Sequence, residues 1–331
     1  MAKRKSRSRG RKMQPAITDL YFKADPKTDD DHRMYIDTMR ELSKINRRMY
    51  SQAKMVAYQG MTFIWKQDPT NPVATIELKI ATAGNTWTVQ NAFVKGKALW
   101  DQMQELVLED NPSLKGKWHD FKVQYSGNQS AARTLACRDA SGALIADGEW
   151  NIATYVMPQH DVQLAGPGAG TPEPALELTP VLIGDDTTTK RSLVKAYQES
   201  RATVQPVDPN VPATVSTSFF NLLTDSGSQE PELADVIIDE NDEPPYDQDN
   251  YVGGDTNGKF GSIVGYSAIS SVEVDGRVGP FIAPCGLLEL QLRGYNAAGN
   301  EIPSENMPEV EILLHVAPGM YKGVAAIDMG Q

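Results

Sequence analysis

The chemistry that the sequence offers most clearly is phosphate binding by a dense group of basic side chains. Seven cations and no carboxylate lie within the first twelve residues: Lys3, Arg4, Lys5, Arg7, Arg9, Arg11 and Lys12. Guanidinium and ammonium groups bind phosphates by displacing condensed counterions, which requires no fixed geometry. On single-stranded nucleic acid, seven such contacts predict a log–log salt slope of about −5. We therefore expect strong, salt-sensitive binding without sequence readout.

The segment that carries these cations has the composition of a flexible arm. It also contains Ser6, Ser8 and Gly10 and no large hydrophobic residue, so burial cannot offset the entropy lost on ordering. We predict a basic arm over residues 1–18 that is disordered until it meets a polyanion. A nuclear localisation signal would use the same residues, and a merely solvated tail is the third interpretation.

A second set of cations falls on a predicted amphipathic helix, about residues 30–52. The apolar residues of this helix recur three or four positions apart: Tyr35, Met39, Leu42, Ile45 and Met49. That spacing is typical of one buried helical face. On the polar side and just beyond the helix lie Arg40, Lys44, Arg47, Arg48 and Lys54. They indicate either a solvated face or a secondary phosphate-facing surface.

An acidic stretch is the other candidate for chemistry. Seven carboxylates lie within fifteen residues: Asp235, Asp239, Glu240, Asp242, Glu243, Asp247 and Asp249. Oxygen-rich loops can hold Ca²⁺, and two suitably separated carboxylates can hydrolyse a glycoside. The stretch lacks the ligand order of an EF-hand, so a solvated or intersubunit loop is the favoured interpretation. Asp239, Asp242 and Asp247 remain weak candidates for a cation, and we predict no cofactor.

Motifs for catalysis and for structural metals are missing from the sequence. There is no P-loop, no G-x-S-x-G elbow, no H-E-x-x-H and no paired cysteine motif. The four histidines are scattered, and Cys137 and Cys285 have no ligand at metal spacing. We expect two small buried thiols, structural or surface histidines, and no enzymatic activity.

The elements that must position these groups are mostly short strands. Alternating or β-branched patterns predict strands at about 61–65, 73–81, 86–94, 118–125, 134–138, 149–157, 215–224, 236–239, 261–274, 287–293 and 310–317. A second helix is expected around residues 98–107, and long loops at about 158–180 and 225–260. Many short strands and only two helices favour an all-β sandwich of two packed antiparallel sheets over a repeating βα fold.

Composition limits the class of protein further. The 331 residues are 40% hydrophobic and 23% charged, as in an ordinary globular protein. No stretch has the roughly 18 to 20 apolar residues of a membrane helix, and no apolar region follows the basic start as in a signal peptide. We expect no membrane insertion, and residence in the cytoplasm or the nucleus. The net charge of −11 becomes −18 once the seven arm cations are set aside.

Three segments resemble capsid proteins of small circular single-stranded DNA viruses of the circovirus-like or smacovirus-like kind. They are the basic start MAKRKSRSRGRK, the central DEPPYD (242–247) with YVGG (251–254), and HVAPGMYKGVAA (315–326). The resemblance implies a single jelly roll of eight strands over residues 19–331, with one or two inserted helices. It also implies self-assembly into an icosahedral shell, a virion location, and arms that turn inward to package single-stranded DNA.

Other classes remain open at this point. A positive-strand RNA virus would use the same architecture, because an arm this simple cannot sense a 2′-hydroxyl. A nucleic-acid-binding accessory protein would use the arm without building a shell. A cation-dependent or carbohydrate-active β-sandwich enzyme is the remote alternative. Host and receptor are not indicated by any residue pattern.

Overall fold

The computed structural model describes residues 14–28, 32–65, 73–116, 120–148, 150, 155, 179–184, 190–199, 261–270, 273 and 275–330. The arm cations, the acidic stretch and the predicted strands at 215–224 and 236–239 lie outside these residues. So do the predicted loops at 158–180 and 225–260, apart from residues 179 and 180. No helix in the described part of the chain is long and apolar enough to cross a membrane.

The described residues form fifteen strands and three α-helices. The strands are β1 (Asp19–Ala24), β2 (Arg33–Asp37), β3 (Lys54–Trp65), β4 (Val73–Thr82), β5 (Val181–Ile183), β6 (Lys190–Ser192), β7 (Ser262–Ser270), β8 (Gly276–Val278), β9 (Phe281–Pro284), β10 (Leu287–Asn296), β11 (Glu301–Ile302), β12 (Val310–Val316), β13 (Pro318–Gly319), β14 (Gly323–Val324) and β15 (Ala326–Asp328). The helices are α1 (Thr38–Asn46), α2 (Trp87–Asp110) and α3 (Leu193–Glu199). Short 3₁₀ helices cover Pro26–Thr28, Pro112–Gly116 and Ser304–Asn306.

Two antiparallel sheets contain all the long strands of the described residues, so the prediction of a mostly β fold with two such sheets is confirmed. In the first sheet, β1 pairs with β12, β12 with β3, and β3 with β8, β9 and β15. In the second sheet, β2 pairs with β10, β10 with β11 and β4, and β4 with β7. Successive strands mostly alternate between the two sheets.

The strand pairs are nested along the chain. The outermost pair is β1 with β12; inside it come β2 with β10, then β3 with β8 and β9, and finally β4 with β7. This is the pairing of one long antiparallel hairpin. The pairing of β12 with β3 joins the first nested pair to the third, and the pairing of β10 with β4 joins the second to the fourth, which creates the two sheets.

Alternating side chains from both sheets build the main core. Along β12, Val310, Ile312, Leu314 and Val316 are buried while the residues between them are partly exposed, as the period of two in a strand requires. They meet buried residues of the opposite sheet in one apolar cluster, among them Ile36, Ile76, Leu78, Ile80, Leu288, Leu290 and Leu292. The sheets therefore pack face to face.

A second apolar cluster lies under the first half of α2. Thr86 caps this helix by accepting a hydrogen bond from the Val89 N–H, and Phe93 packs edge-on against Phe121 at 5.1 Å between ring centroids. At Gly96 a Cβ would lie 2.8 Å from a Leu193 methyl carbon, so the helix approaches α3 closely there. Beyond Gly96, no side chain of α2 is fully buried among the described residues.

Two predicted elements were wrong in their type or bounds. The helix expected over 30–52 is strand β2 followed by the nine-residue α1, because Asp37 caps a helix start in the middle of the apolar run, with its side chain accepting the Arg40 N–H. Arg47, in the left-handed conformation, then ends α1. The strand expected at 86–94 is the start of α2, because Val89, Ala92 and Phe93 share a helical face.

Other strand predictions had mixed outcomes. Those at 61–65, 73–81, 261–274, 287–293 and 310–317 are confirmed by β3, β4, β7, β10 and β12. The described parts of 118–125, 134–138 and 149–157 hold only isolated bridges, such as Gln124 with Val181 and Tyr155 with Gly184. Residues 134–138 bond to both main sheets, since the Leu135 N–H donates to the Tyr35 carbonyl of β2 and the Arg138 N–H to the Tyr21 carbonyl of β1. Ten strands were not predicted from the sequence: β1, β2, β5, β6, β8, β9, β11, β13, β14 and β15.

Candidate nucleic-acid interface

The basic arm enters the fold beside the end of α1. The Ile17 N–H donates to the Asn46 side-chain oxygen at 2.8 Å, and the Asn46 amide donates back to the Ile17 carbonyl at 3.0 Å. Arg48 donates to the Gln14 side chain at 3.3 Å and to the Pro15 carbonyl at 3.4 Å. Residues 14–18, which the sequence assigned to a disordered arm, are therefore docked, and the cations at 3–12 directly precede them.

The turn after α1 presents two exposed arginines at this place. Arg47 has φ of 50°, and its N–H donates to the Ser43 carbonyl. The Ser43 hydroxyl donates to the Met39 carbonyl at 2.7 Å and accepts the Tyr50 N–H at 2.8 Å. These bonds fix the turn from both sides. Arg47 and Arg48 are consequently held at the surface next to the docked residues of the arm.

The hairpin of β13 and β14 brings Lys322 to the same place. Tyr50 donates its hydroxyl to the Lys322 carbonyl at 2.8 Å, and the Lys322 ammonium donates to the Met49 carbonyl. The ammonium also lies 5.4 Å from the centroid of the Tyr321 ring and 5.8 Å from that of Tyr50. We call Arg47, Arg48 and Lys322 the arm-base patch.

Gly323 makes this meeting of distant segments possible. Its φ is 101°, and a Cβ there would lie 2.5 Å from the Ala16 Cβ and 2.6 Å from the Gln14 carbonyl oxygen. Only glycine combines that backbone conformation with so close an approach. The C-terminal hairpin and the docked residues of the arm are therefore in direct contact.

Burial and charges of both signs act on Lys322 of the arm-base patch. Burial lowers the pKa of Lys322; the charge of Asp120 acts against this shift, and the charges of Lys54 and Arg48 act in the same direction as burial. Lys54 is partly neutralised, because it forms an ion pair with Asp328 and lies 4.6 Å from the Tyr321 ring centroid. Its side chain is only 16% exposed, so it acts on the arm-base patch mainly through its electrostatic field.

Two of the five helix cations predicted to face phosphate are paired with Glu41: the Lys44 side chain is buried, and that of Arg40 is 17% exposed. Glu41, fully buried, accepts from the Arg40 Nε at 2.6 Å and from the Cys137 N–H at 2.8 Å. The Lys44 side chain is 1% exposed and lies 3.1 Å from Glu41 and 2.9 Å from Asp147. The prediction was wrong for Arg40 and Lys44, because the segment around residues 135–147 covers the face of α1 that the sequence pattern left to water.

Partial burial acts to raise the pKa of Asp147, but the hydrogen bond and the charge of Lys44 lower it overall.

The outcome for the five predicted cations is split. Arg47 and Arg48 lie at the surface beside the arm, Lys54 is half-buried and paired, and Arg40 and Lys44 bind the covering segment to α1. Sequence reasoning missed Lys322 as a site residue. No local pattern connects it to Arg48, because only strand pairing brings the two together.

The remaining polar candidates have structural surroundings. His315 lies 2.8 Å from Asp19 and 3.1 Å from the Thr62 hydroxyl across neighbouring strands, and His32 lies 3.9 Å from Glu301. Cys137 and Cys285 are buried free thiols, as predicted. The described residues contain no group of three or more His, Cys, Asp or Glu placed to hold a metal; Asp239, Asp242 and Asp247 lie outside them.

Comparison with known proteins gives no family assignment. No family model matches the chain, and neither a curated protein nor a solved structure is significantly similar to it. Function is therefore inferred from the chain's own charge distribution, strand order and surface chemistry.

Proposed function

We propose that this protein is a viral coat protein that self-assembles into an icosahedral shell and packages single-stranded DNA through its basic arm. The observation that carries the proposal is the nested pairing of eight strand positions in two sheets, with seven cations immediately before the first strand. A long antiparallel hairpin wrapped into two sheets is the arrangement of a jelly roll, which viral capsid domains share with some lectins and cupins.

The charge distribution favours a capsid over those other jelly-roll proteins. The arm carries seven cations, while the rest of the chain has a net charge of −18. Inward cations lower the electrostatic cost of confining a phosphate polymer. An acidic exterior limits non-specific adhesion to nucleic acid. One subunit thus has the charges needed on both sides of a shell.

Exposed apolar side chains support self-association. On the second half of α2, Met103, Leu106 and Val107 are 41%, 64% and 44% exposed among the described residues. Strand β7, which is at the edge of the second sheet as far as the chain is described, exposes Ile263 and Tyr266. Apolar groups grouped on a surface in this way are typical of protein contacts. Assembly into a shell would remove them from water.

Electron microscopy and nucleic-acid analysis of the expressed full chain test the proposal. We expect uniform spherical particles that contain nucleic acid. Replacing all seven arm cations with Gln should leave particles with sharply reduced nucleic acid, because the counterion-release contribution is lost. As the matched control, replacing Arg4, Arg7, Arg9 and Arg11 with Lys preserves charge and should preserve packaging.

The alternatives appear as distinct results of the same work. Digestion of the extracted nucleic acid by RNase instead of DNase would identify the coat protein of an RNA virus. A monomer or dimer at high protein concentration, with nucleic-acid binding intact, would reject the shell and favour an accessory protein. Particles filled normally with the Gln arm would reject the role of the arm.

A further inference from the structure

We propose that the arm-base patch of Arg47, Arg48 and Lys322 is a fixed binding site for the phosphodiester backbone of single-stranded nucleic acid. This inference rests on the proposed function and extends it from a flexible arm to a site with a defined place in the fold. The cations of the arm have no fixed arrangement, whereas the fold holds the cations of this patch in defined positions.

Unneutralised charge is the first argument for the site. Among the described residues, Arg48 contacts only the neutral oxygens of Gln14 and Pro15, and Arg47 has no acidic partner. The Lys322 ammonium contacts the Met49 carbonyl and two tyrosine rings. Other cations of the fold, such as Lys44 and Lys97, have carboxylate partners within 4 Å. A phosphate at the patch would offset the repulsion between Arg48 and Lys322, which the charge of Asp120 compensates only in part.

Preorganisation is the second argument. Arg47 and Lys322 both have left-handed backbone conformations, with φ of 50° and 51°. Hydrogen bonds of Ser43, Tyr50 and Tyr321 fix the segments that carry them: Tyr50 holds the Lys322 carbonyl, and the Tyr321 hydroxyl accepts the Ser51 N–H at 3.0 Å. Little backbone entropy is then lost on binding, which favours affinity.

Connection to the arm identifies a polymer as the ligand. Arg48, a member of the patch, also holds Gln14 and Pro15, and Lys12 is two residues before Gln14. A nucleic acid bound by the arm therefore reaches the patch at high effective concentration. A small anion gains nothing from this arrangement. The ligand is accordingly the backbone of the strand that the arm already holds.

Salt dependence of binding in the full chain tests the site. The double variant Arg47→Asn with Arg48→Gln removes two cations, and Asn tolerates the left-handed conformation. Its binding to a dT20 oligonucleotide should have a log–log salt slope about 1.4 smaller in magnitude than that of the wild type. A fourfold rise in salt concentration should then reduce the affinity of this variant about 7-fold less than it reduces that of the wild type. Lys322→Asn should reduce the slope by about 0.7.

The control is the double variant Lys27→Gln with Arg277→Gln, which removes two exposed cations elsewhere; of these, Arg277 forms an ion pair with Asp275. Its slope should equal that of the wild type. A patch variant that behaves like this control overturns the inference but leaves the arm and the proposed function standing. A wild-type chain that binds no oligonucleotide overturns the proposed function itself.

Hydrogen exchange of the wild-type chain gives a second result that needs no substitution. We expect dT20 to protect the backbone at residues 46–50 and 321–324. Inorganic phosphate at equal ionic strength should not. Equal protection by phosphate alone would show a small-anion site and overturn the assignment to a polymer, as would oligonucleotide binding without any protection there.

Discussion

Asp37 shows how one buried side chain organises the region next to the arm. It caps α1 through the Arg40 N–H at 3.0 Å and accepts from the Gln52 amide at 2.9 Å. Gln52 in turn accepts the Val123 N–H at 2.7 Å. Burial raises the pKa of Asp37 to about 6, although the Arg40 charge and these hydrogen bonds act in the other direction.

This shift makes stability depend on pH in a defined direction. The unfolded side chain has a pKa of about 3.9, so between about pH 4 and 6 the folded state holds the proton more tightly. Rising pH therefore reduces the contribution of Asp37 to stability. Relative to Asp37→Asn, the wild type should lose about 2 kcal/mol of unfolding free energy from pH 4 to 7. Urea titrations at several pH values measure this difference, and a constant difference would contradict it.

Glu41 holds the buried charges of α1 together. Glu41→Ala leaves Lys44 and Arg40 with less compensation and the Cys137 N–H without its acceptor, so we expect a loss of about 3 to 5 kcal/mol in unfolding free energy. The exposed Glu309, 3.7 Å from Lys23, is the control, and Glu309→Ala should cost under about 1 kcal/mol. Similar unfolding midpoints for the two variants would contradict a structural role for the buried network.

At the scale of elements, the period of two identified the long central strands. Ile76, Leu78 and Ile80 of β4 alternate as predicted, and β12 follows the same rule. The boundary between β2 and α1 escaped prediction, because the apolar residues of both elements together imitate one helical face. Strand β1 was missed, since the strand that pairs with it among the described residues is β12, at the other end of the chain.

The candidate site was predictable to a similar extent. The charges of Arg47 and Arg48 are visible in the sequence, and so is the basic arm. That Lys44 is buried and Arg40 largely covered depends on the segment around residues 135–147, which packs on α1 from far along the chain. The proximity of Lys322 depends on the pairing of strands and the close approach at Gly323. Neither the covering of Arg40 and Lys44 nor the proximity of Lys322 is marked by a local sequence pattern.

Gly60 tests how tightly the strands of the first sheet are joined. The register between β3 and β12 shifts at this point, since His315 pairs with Gly60 and Val316 with Tyr58. Gly60 has φ of 140°, and a Cβ there would lie 2.3 Å from the Val278 carbonyl oxygen of β8. Gly60→Ala must displace β8, so we expect a loss of about 2 to 4 kcal/mol in unfolding free energy.

Gly279→Ala is the control for this substitution. Gly279 follows β8 directly, and a Cβ there meets nothing within 4 Å. Its unfolding free energy should stay within about 0.5 kcal/mol of the wild type. Equal losses for the two variants in urea unfolding would show that the contact between β3 and β8 is looser than the geometry indicates.

At the scale of the whole molecule, opposite charges are separated along the chain. The docked residues 14–18 tie the cationic arm to one place, beside the end of α1 and the C-terminal hairpin. An assembly with every arm on one side would concentrate positive charge there and the acidic remainder elsewhere. Both sets of like charges repel within such an assembly unless a polyanion or added salt compensates them.

Added salt should consequently have opposite effects on assembly with and without nucleic acid. In nuclease-treated protein, salt screens the repulsion among arms and among acidic surfaces, so raising NaCl from 0.05 to 0.2 M should promote particle formation. With a single-stranded polynucleotide present, the same change should weaken the binding of each arm about 1,000-fold and oppose assembly. Light scattering and sedimentation measure both trends. The chain with all seven arm cations replaced by Gln should lose the second trend. The same direction of change in both conditions would refute the electrostatic basis of the proposed packaging.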